Sequence, residues 1–555
     1  MMGKVVVSVF SLILVVGVVI GVIAVVQQGG SKSGGGSSQG VSTSTRTVTQ
    51  ICHPTDYKEA CEKSLSSVTN TTDPKEYVKA AILATVEAAK KSFNLSTDLI
   101  GKADDKDKDV KMSLEDCKDL LEDAVQELQA SFSTVGDSNL HTMSQRTAEL
   151  QNWLSAVISY QDTCLDQFGD PNSKYRTEMK DGMLDATHLT SNALAIINGF
   201  SKFLSTFGLQ INLPTPTRRL LSLDDDFPEW MSIPHRRLLA AGNDIKPNFT
   251  VAKDGSGDFK NIADALAKCP LSNQSACVIH IKAGTYQEYL TVEKKQFNVF
   301  MYGDGPGKTI ITGSHSNSTG WKTMRSATFA ALGTGFTAKS LTFENTAGPQ
   351  GHQAVALRVQ ADQTAFFDCS IEGYQDTLYT QAHRQFYNNC TISGTIDFIF
   401  GDASVVIQNS NIVIRMPMNN QLNTMTAHGR SDKHETTGLV IHKCKIIPEE
   451  KLVSNRTTVK SYMGRPWRAY SRTIVMESEI GDVIQPEGWL PWSGDLFLDT
   501  LEYSEYANTG AGAATDKRVK WKGYHILTTK AQVDKFSVNL MIQGNEWLNH
   551  TGQTY

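Results

Sequence analysis

The chain has 555 residues, of which 40% are hydrophobic and 20% charged, and a formal net charge of −5. That length exceeds one ordinary core and predicts two folded domains with linkers. The near-neutral balance, with no Lys/Arg-rich run, excludes an electrostatic footprint for nucleic acid. No close group of Cys and His has zinc spacing, so no metal site is expected.

Residues 1–26 include an apolar run, 5–26, broken only by Ser and Gly and preceded by Lys4. About 20 apolar residues span a bilayer, whereas a cleavable signal peptide carries about 7 to 15. The expectation is an uncleaved signal anchor, with a signal peptide as the alternative. Either sends the rest of the chain into the secretory lumen, touching the membrane only through this segment. Eight Asn-x-Ser/Thr acceptors agree with that route: Asn70, Asn94, Asn248, Asn273, Asn317, Asn389, Asn455 and Asn549. Nine cysteines in a lumenal protein should mostly pair, and the odd count leaves at least one out. Residues 27–50 are rich in Gly, Ser and Thr and read as a flexible linker. Within them Gly36-Ser37-Ser38-Gln39-Gly40 fits the G-x-S-x-G pattern, but no strand precedes it and no helix follows, so it is composition and not a nucleophile elbow.

From 51 to 213 the apolar spacing is helical. Tyr77, Ala80, Ala81, Ala84 and Ala88 fall on one face, as do Leu120, Leu121, Ala124, Leu128 and Phe132. Four main helices joined by loops predict an antiparallel all-α bundle. It holds Cys52, Cys61, Cys117 and Cys164 and no catalytic cluster. Residues 214–243 then bring four prolines, three consecutive aspartates and the tetrapeptide Arg-Arg-Leu-Leu twice, at Arg218-Arg219 and Arg236-Arg237. Paired basic residues in an exposed lumenal linker predict proteolytic processing.

Residues 244–555 change to short runs of Val, Ile, Phe and Thr broken by Gly, Asn and Asp, at 278–281, 299–302, 340–344, 364–367, 384–387, 405–408 and 473–476. Polar corners recur about 20 residues apart, at Cys369, Cys390 and Ser410, which favours stacked coils over hairpins. Asp376 and Asp397 are 21 residues apart, and Gln353 precedes Gln375 by 22. A coil of a parallel β-helix uses about 20 to 25 residues, so these positions stack on one wall.

Two carboxylates, two amides and a guanidinium can cleave an ester. Like charges in a partly desolvated groove push their proton affinities apart, so one acid is the nucleophile or base and the other the proton donor. Arg465, in Gly464-Arg465-Pro466-Trp467, can hold the ionised partner bidentately, and neutral Gln donors suit an oxyanion. Trp467, Trp489, Trp492 and Tyr379 offer flat faces for sugar rings, although large aromatics also fill cores. His352 has no acid beside it in sequence and is read as structural.

The blocks Gly351-His352-Gln353-Ala354-Val355-Ala356-Leu357, Gly373-Tyr374-Gln375-Asp376-Thr377-Leu378-Tyr379, Ile396-Asp397-Phe398-Ile399-Phe400-Gly401 and Gly464-Arg465-Pro466-Trp467 resemble the signature blocks of plant pectin methylesterases. The helical region resembles the inhibitor domain that precedes the enzyme in longer plant forms. The resemblance implies a right-handed parallel β-helix, release of methanol from C6 methyl esters of homogalacturonan, a monomer, and no cofactor. It casts Asp397 as nucleophile, Asp376 as acid and then base, Gln353 and Gln375 as oxyanion donors, and Arg465 as the group orienting Asp397. Thr323, Gln353, Arg465 and Trp467 would contact substrate. It also implies Cys52–Cys61 and Cys117–Cys164 bridges and cleavage by a subtilisin-type protease at the paired arginines. The expected destination is the cell wall, and a bundle tethered at high effective concentration is expected to restrain the enzyme before secretion. One departure is Ser410, where the family commonly has a cysteine joined to Cys390. Pairing among Cys369, Cys390 and Cys444 stays open, while Cys269 and Cys277 are close enough for a local bridge. Rival expectations are a polygalacturonase or lyase on the same solenoid, and an inhibitor carrying an inactive β-helix.

Overall fold

The computed structural model describes residues 47–68, 71–207, 246–271 and 276–548. The apolar run 5–26, most of the 27–50 linker, the segment 214–243 with Arg218, Arg219, Arg236 and Arg237, and Asn70, Asn273 and Asn549 lie outside the described residues. Among those described, no helix is long and apolar enough to cross a membrane. The chain divides into Met1–Thr49 and a second unit, Gln50–Tyr555, which holds all the helices and sheets that follow.

Four long helices form the first region: α1 (Pro74–Lys102), α2 (Lys108–Asp137), α3 (Thr147–Asp166) and α4 (Lys174–Asn198). Helix α1 begins where the Asp73 carboxylate accepts from the Lys75 N–H and Pro74 fills the first turn. Asp107 caps α2 in the same way through the Val110 N–H. Each helix packs against two others, α1 and α3 both flanking α2, and α4 closing the ring. The buried stripe of α1 runs through Tyr77, Val78, Ala81, Ile82, Thr85, Val86 and Ala89. Ala80 and Ala84 are only half-buried, so the stripe is turned slightly from the expected face. Ile82 and Val86 have more apolar area to remove from water than the alanines, and they set the rotation. Cys117–Cys164 ties α2 to α3, and Cys52–Cys61 fastens the short helix Lys58–Leu65.

The second region is a parallel β-helix of three sheets, with 11, 8 and 7 strands. The seven-stranded sheet carries β1 (Leu290–Val292), β2 (Phe329–Ala331), β3 (Leu357–Val359), β4 (Leu378–Thr380), β5 (Ile399–Gly401), β6 (Asn423–His428) and β7 (Ser461–Gly464). Each pairs with the next in parallel, Leu357 facing Leu378, Leu378 facing Ile399, and Ile399 facing Thr426. Inside, identical side chains stack coil on coil: Ile371, Ile392, Ile412 and Ile446 occupy facing positions and are fully buried. Each contributes about 2–3 kcal/mol of apolar burial. Phe366 lies flat on Tyr387 at 4.8 Å. Val533, Phe536, Val538, Met541 and Trp547 from the C-terminal helical turns cover the outer face of the 11-stranded sheet at Phe386, Val406, Val440 and Ile474. A third disulfide joins Cys269 to Cys277, while Cys369, Cys390 and Cys444 are buried free thiols.

Candidate active site

The candidate residues sit at the corner where the eight-stranded sheet turns into the seven-stranded one. Asp376 precedes β4 and Asp397 precedes β5, each by one intervening residue. Both carry left-handed backbone, φ 61° and 50°, which short polar side chains tolerate better than most. The corners nest closely. A Cβ on Gly394 would lie 2.2 Å from that of Phe398 and 2.7 Å from the Tyr374 carbonyl, so no larger residue fits there. The Asp376 N–H donates to the Ile396 carbonyl (3.0 Å) and Thr395 N–H to that of Tyr374 (2.9 Å), which fixes the two acids one coil apart.

Arg465, immediately after β7, reaches back to Asp397: Nε donates to Oδ1 (2.8 Å) and Nη2 to Oδ2 (2.6 Å). Burial opposes the guanidinium charge, but the hydrogen bond and charge of Asp397 outweigh it and raise the Arg465 pKa. Its planar face lies 4.4 Å from the Trp492 ring, a cation–π contact that fixes its plane. Asp376 has the opposite environment. Burial first, and the neighbouring Asp397 charge second, push its carboxyl well above the ordinary carboxylate range, and Arg465 pulls it back only in part. The pair therefore divides into an acid clamped by a guanidinium and an acid whose proton affinity is raised.

Gln353 and Gln375 are half-buried on successive coils, linked by the Ala354 N–H donating to the Gln375 carbonyl (3.2 Å). His352 is exposed, with φ 57°, one residue before Gln353. Thr323 caps the 3-10 turn Met324–Ser326, and Trp467 is half-buried with its ring 6.1 Å from Phe400. Of the expected sugar platforms, one is core and another is covered by Thr163 of α3. Trp489 is 1% exposed and packs on Tyr503, its indole N–H donating to Glu505, so it is core. Tyr379 is buried, stacked on Phe400 at 4.4 Å. Sequence reasoning missed Thr424 in β6, whose hydroxyl donates to Asp397 Oδ1 (2.6 Å). The polar alternation Asn423-Thr424-Met425-Thr426 was its one signal, and nothing in it pointed to an acid 27 residues earlier.

Residues 248–545 match the pectinesterase family, and residues 46–196 the plant invertase/pectin methylesterase inhibitor family. The chain belongs to the pectinesterase family. It is 44% identical over 557 residues to a probable pectinesterase/pectinesterase inhibitor 21 of Arabidopsis thaliana, covering 99% of this chain and 81% of that one. It is 41% identical over 526 residues to pectinesterase 2 of the same plant, covering 92% and 89%. The β-helix is similar to that of a pectin methylesterase from carrot, at 48% identity and a TM-score of 0.56, over 57% of this chain and 99% of that chain.

In this pectinesterase-family chain the inhibitor-like bundle lies against the outer face of the seven-stranded sheet beside the two acids. Helix α2 presents Asp109, Asp116 and Asp123 at seven-residue spacing, one face of a helix. They meet Lys322, Arg325 (2.7 Å) and Lys294 (2.8 Å) respectively. Burial holds the Asp116 carboxyl up at about 6, although Arg325 draws it down. Helix α3 adds Ser159, which donates to the Gln381 carbonyl (2.7 Å), Thr163, whose hydroxyl meets that of Tyr379 (3.2 Å), and Asp166, which pairs with Arg468. His383 accepts from the Asn152 amide at Nδ1 (3.1 Å) and meets the Tyr160 hydroxyl at Nε2 (3.0 Å). Of the glycosylation acceptors, Asn94, Asn248, Asn317 and Asn389 are exposed and Asn455 is half-buried.

Proposed function

We propose that residues 244–555 are a pectin methylesterase hydrolysing C6 methyl esters of homogalacturonan to carboxylates and methanol, and that the bundle, 51–213, restrains it until the 214–243 linker is cut. The observation that carries the reading is an Arg465-clamped carboxylate one coil from a buried carboxyl whose pKa is raised. Asp397 attacks the ester carbonyl, and the oxyanion is held by the Gln353 and Gln375 amides. As the C–O bond to methoxide breaks, Asp376 gives its proton and methanol leaves. Asp376 then takes a proton from water, whose oxygen attacks the acyl-enzyme and returns Asp397 as a carboxylate. Thr323, Gln353, Arg465 and Trp467 line the path of the polymer.

The acidic ladder of α2 and the α3 contacts to Tyr379, Gln381 and Arg468 support the restraint, because a bundle seated there blocks the wall next to the acids. Tethering keeps it at high effective concentration, and cutting at Arg218-Arg219 or Arg236-Arg237 by a subtilisin-type protease removes that advantage. The route is through the secretory lumen to the cell wall, with glycans at exposed acceptors.

The test is methanol release from highly methylated pectin by the full chain before and after cleavage at the paired arginines. Release should rise on cleavage without shortening of the polymer. Equal rates would exclude the restraint, and a shortened polymer would favour a glycosidase or lyase. In the cleaved chain Asp397→Asn should lower release by about 10³-fold or more, and retained activity would overturn the assignment.

A further inference from the structure

Thr424 is fully buried in β6, and its hydroxyl closes a ring with a single residue. The Asp397 N–H donates to Thr424 Oγ1 (2.9 Å), and Oγ1 donates its one proton to Asp397 Oδ1 (2.6 Å). A hydroxyl has one proton and two lone pairs, so accepting from the backbone fixes where that proton points. The two carboxylate oxygens are then unequal. Oδ1 receives Thr424 Oγ1 and Arg465 Nε (2.8 Å), which occupies both its lone pairs, whereas Oδ2 receives only Arg465 Nη2 (2.6 Å) among the described residues and keeps one.

We propose that Thr424 is a positioning residue that selects Oδ2 of Asp397 as the attacking atom. The inference rests on the reading of Asp397 as nucleophile. Oδ2 forms the bond to the ester carbon, the carbonyl electrons move onto oxygen and return, the bond to methoxide breaks, and the Asp376 proton leaves on methanol. In the second half the water proton goes to Asp376, the hydroxide oxygen bonds to the same carbon, and Oδ2 departs with its electron pair. Thr424 holds Oδ1 throughout, so the carboxylate does not rotate to present the oxygen that accepts two hydrogen bonds. The same ring anchors the left-handed backbone of Asp397, a conformation few residues adopt without support.

The experiment compares Thr424→Val and Thr424→Ser in the full chain cleaved at the paired arginines, assayed for methanol release across substrate concentration. Val keeps the volume and removes the hydroxyl. It should lower kcat by about 10- to 100-fold, the loss of one hydrogen bond to a charged group, with KM within about twofold. Ser, which keeps the hydroxyl, should restore kcat to within about threefold of wild type. A fall of less than about tenfold in Thr424→Val, a change carried by KM, or a Ser variant as impaired as Val would each overturn the selection of Oδ2. Should Thr424→Val not fold, Thr424→Ala decides in its place on the same two constants. Asp397→Asn in the same assay separates the two levels: if it stays active the nucleophile reading fails, and if it is inactive while Thr424→Val is not, only this inference fails.

Discussion

Two corners of the β-helix are built alike and used differently. Where the 11-stranded sheet turns into the eight-stranded one, Asp368, Asn389, Asn409, Lys443 and Glu477 all have left-handed backbone, as Asp376 and Asp397 do at the next corner. At the first corner the polar groups pair with those of the neighbouring coils. Asn389 Nδ2 donates to Asp368 (2.7 Å), Asn409 Nδ2 to Asn388 (3.1 Å), and Cys390 and Cys444 N–H to the Ser410 and Ser478 hydroxyls (both 3.0 Å). At the second corner Asp397 is held by Arg465, 68 residues on and two coils away, about 10 Å along the axis. Asp376 is left beside a like charge in a buried site. In the proposed mechanism a kinked corner is scaffolding when its partners are local, and reactive when a distant cation clamps one acid and burial raises the proton affinity of the next.

The largest effect in that contrast should come from Asp376→Asn. Loss of the proton donor should lower kcat by about 10³-fold, within the range of general acid catalysis. The wild-type enzyme should lose kcat/KM on the alkaline side as Asp376 gives up its proton, and this limb should be absent from the residual activity of the variant. Stability should move the other way. The folded-state pKa is raised above the unfolded value, so no penalty exists below the unfolded value, and stability falls as pH rises from there toward the folded pKa. Asp376→Asn should therefore melt about 2–4 °C above wild type at pH 7 and close to it at pH 4, by calorimetry. A lower Tm at pH 7 would mean that the acid is not strained by its burial.

How much of this was legible in the sequence follows from the same contrast. Of the seven expected strands, six fall in the 11-stranded sheet, for example Cys277–Ile281 and Thr364–Phe367, where the strands are four or five residues long and rich in Val, Ile, Phe and Tyr. Strands β4 and β5 are three residues each, too short for any periodicity, yet the two acids stand at the corners just before them. The 21-residue interval from Asp376 to Asp397 was readable because that coil has no insertion. Thr424 was not, because the next coil takes 27 residues and breaks the period. The seat of the bundle was invisible for a different reason: Tyr379 meeting Thr163, or Asp116 meeting Arg325, joins residues more than 200 apart with no repeat to link them.

Ser410 tests the quiet corner at intermediate size. Its hydroxyl accepts from the buried Cys390 N–H and donates to the Gln408 carbonyl (2.7 Å). Ser410→Ala should cost about 1–2 kcal/mol by stranding that N–H. Ser410→Cys places a thiol opposite Cys390 on strands about 4.8 Å apart, within the Cα range of a disulfide. Once oxidised, the variant should gain up to about 3 kcal/mol and melt above wild type. The reduced form, with a weak sulfur acceptor in place of oxygen, should melt below it. An oxidised variant that melts no higher than wild type would show that this corner gains nothing from a covalent tie.

The smallest effect should come from Asn389→Gly, and its smallness is the point. Asn389 is exposed and left-handed, and its side-chain amide donates to the half-buried Asp368 carboxylate. Glycine adopts φ 53° without strain, which offsets the lost surface hydrogen bond and the greater freedom of the unfolded chain. The net change should stay within about 0.5 kcal/mol, with kcat and KM unchanged. The substitution also removes a glycosylation acceptor, so both forms should be made in a host that adds no glycans. A shift above about 1 kcal/mol, or any change in kcat, would mean that the ladder of polar residues at the quiet corner couples along the solenoid to the acids. The division between a scaffolding corner and a reactive one would then be a matter of degree.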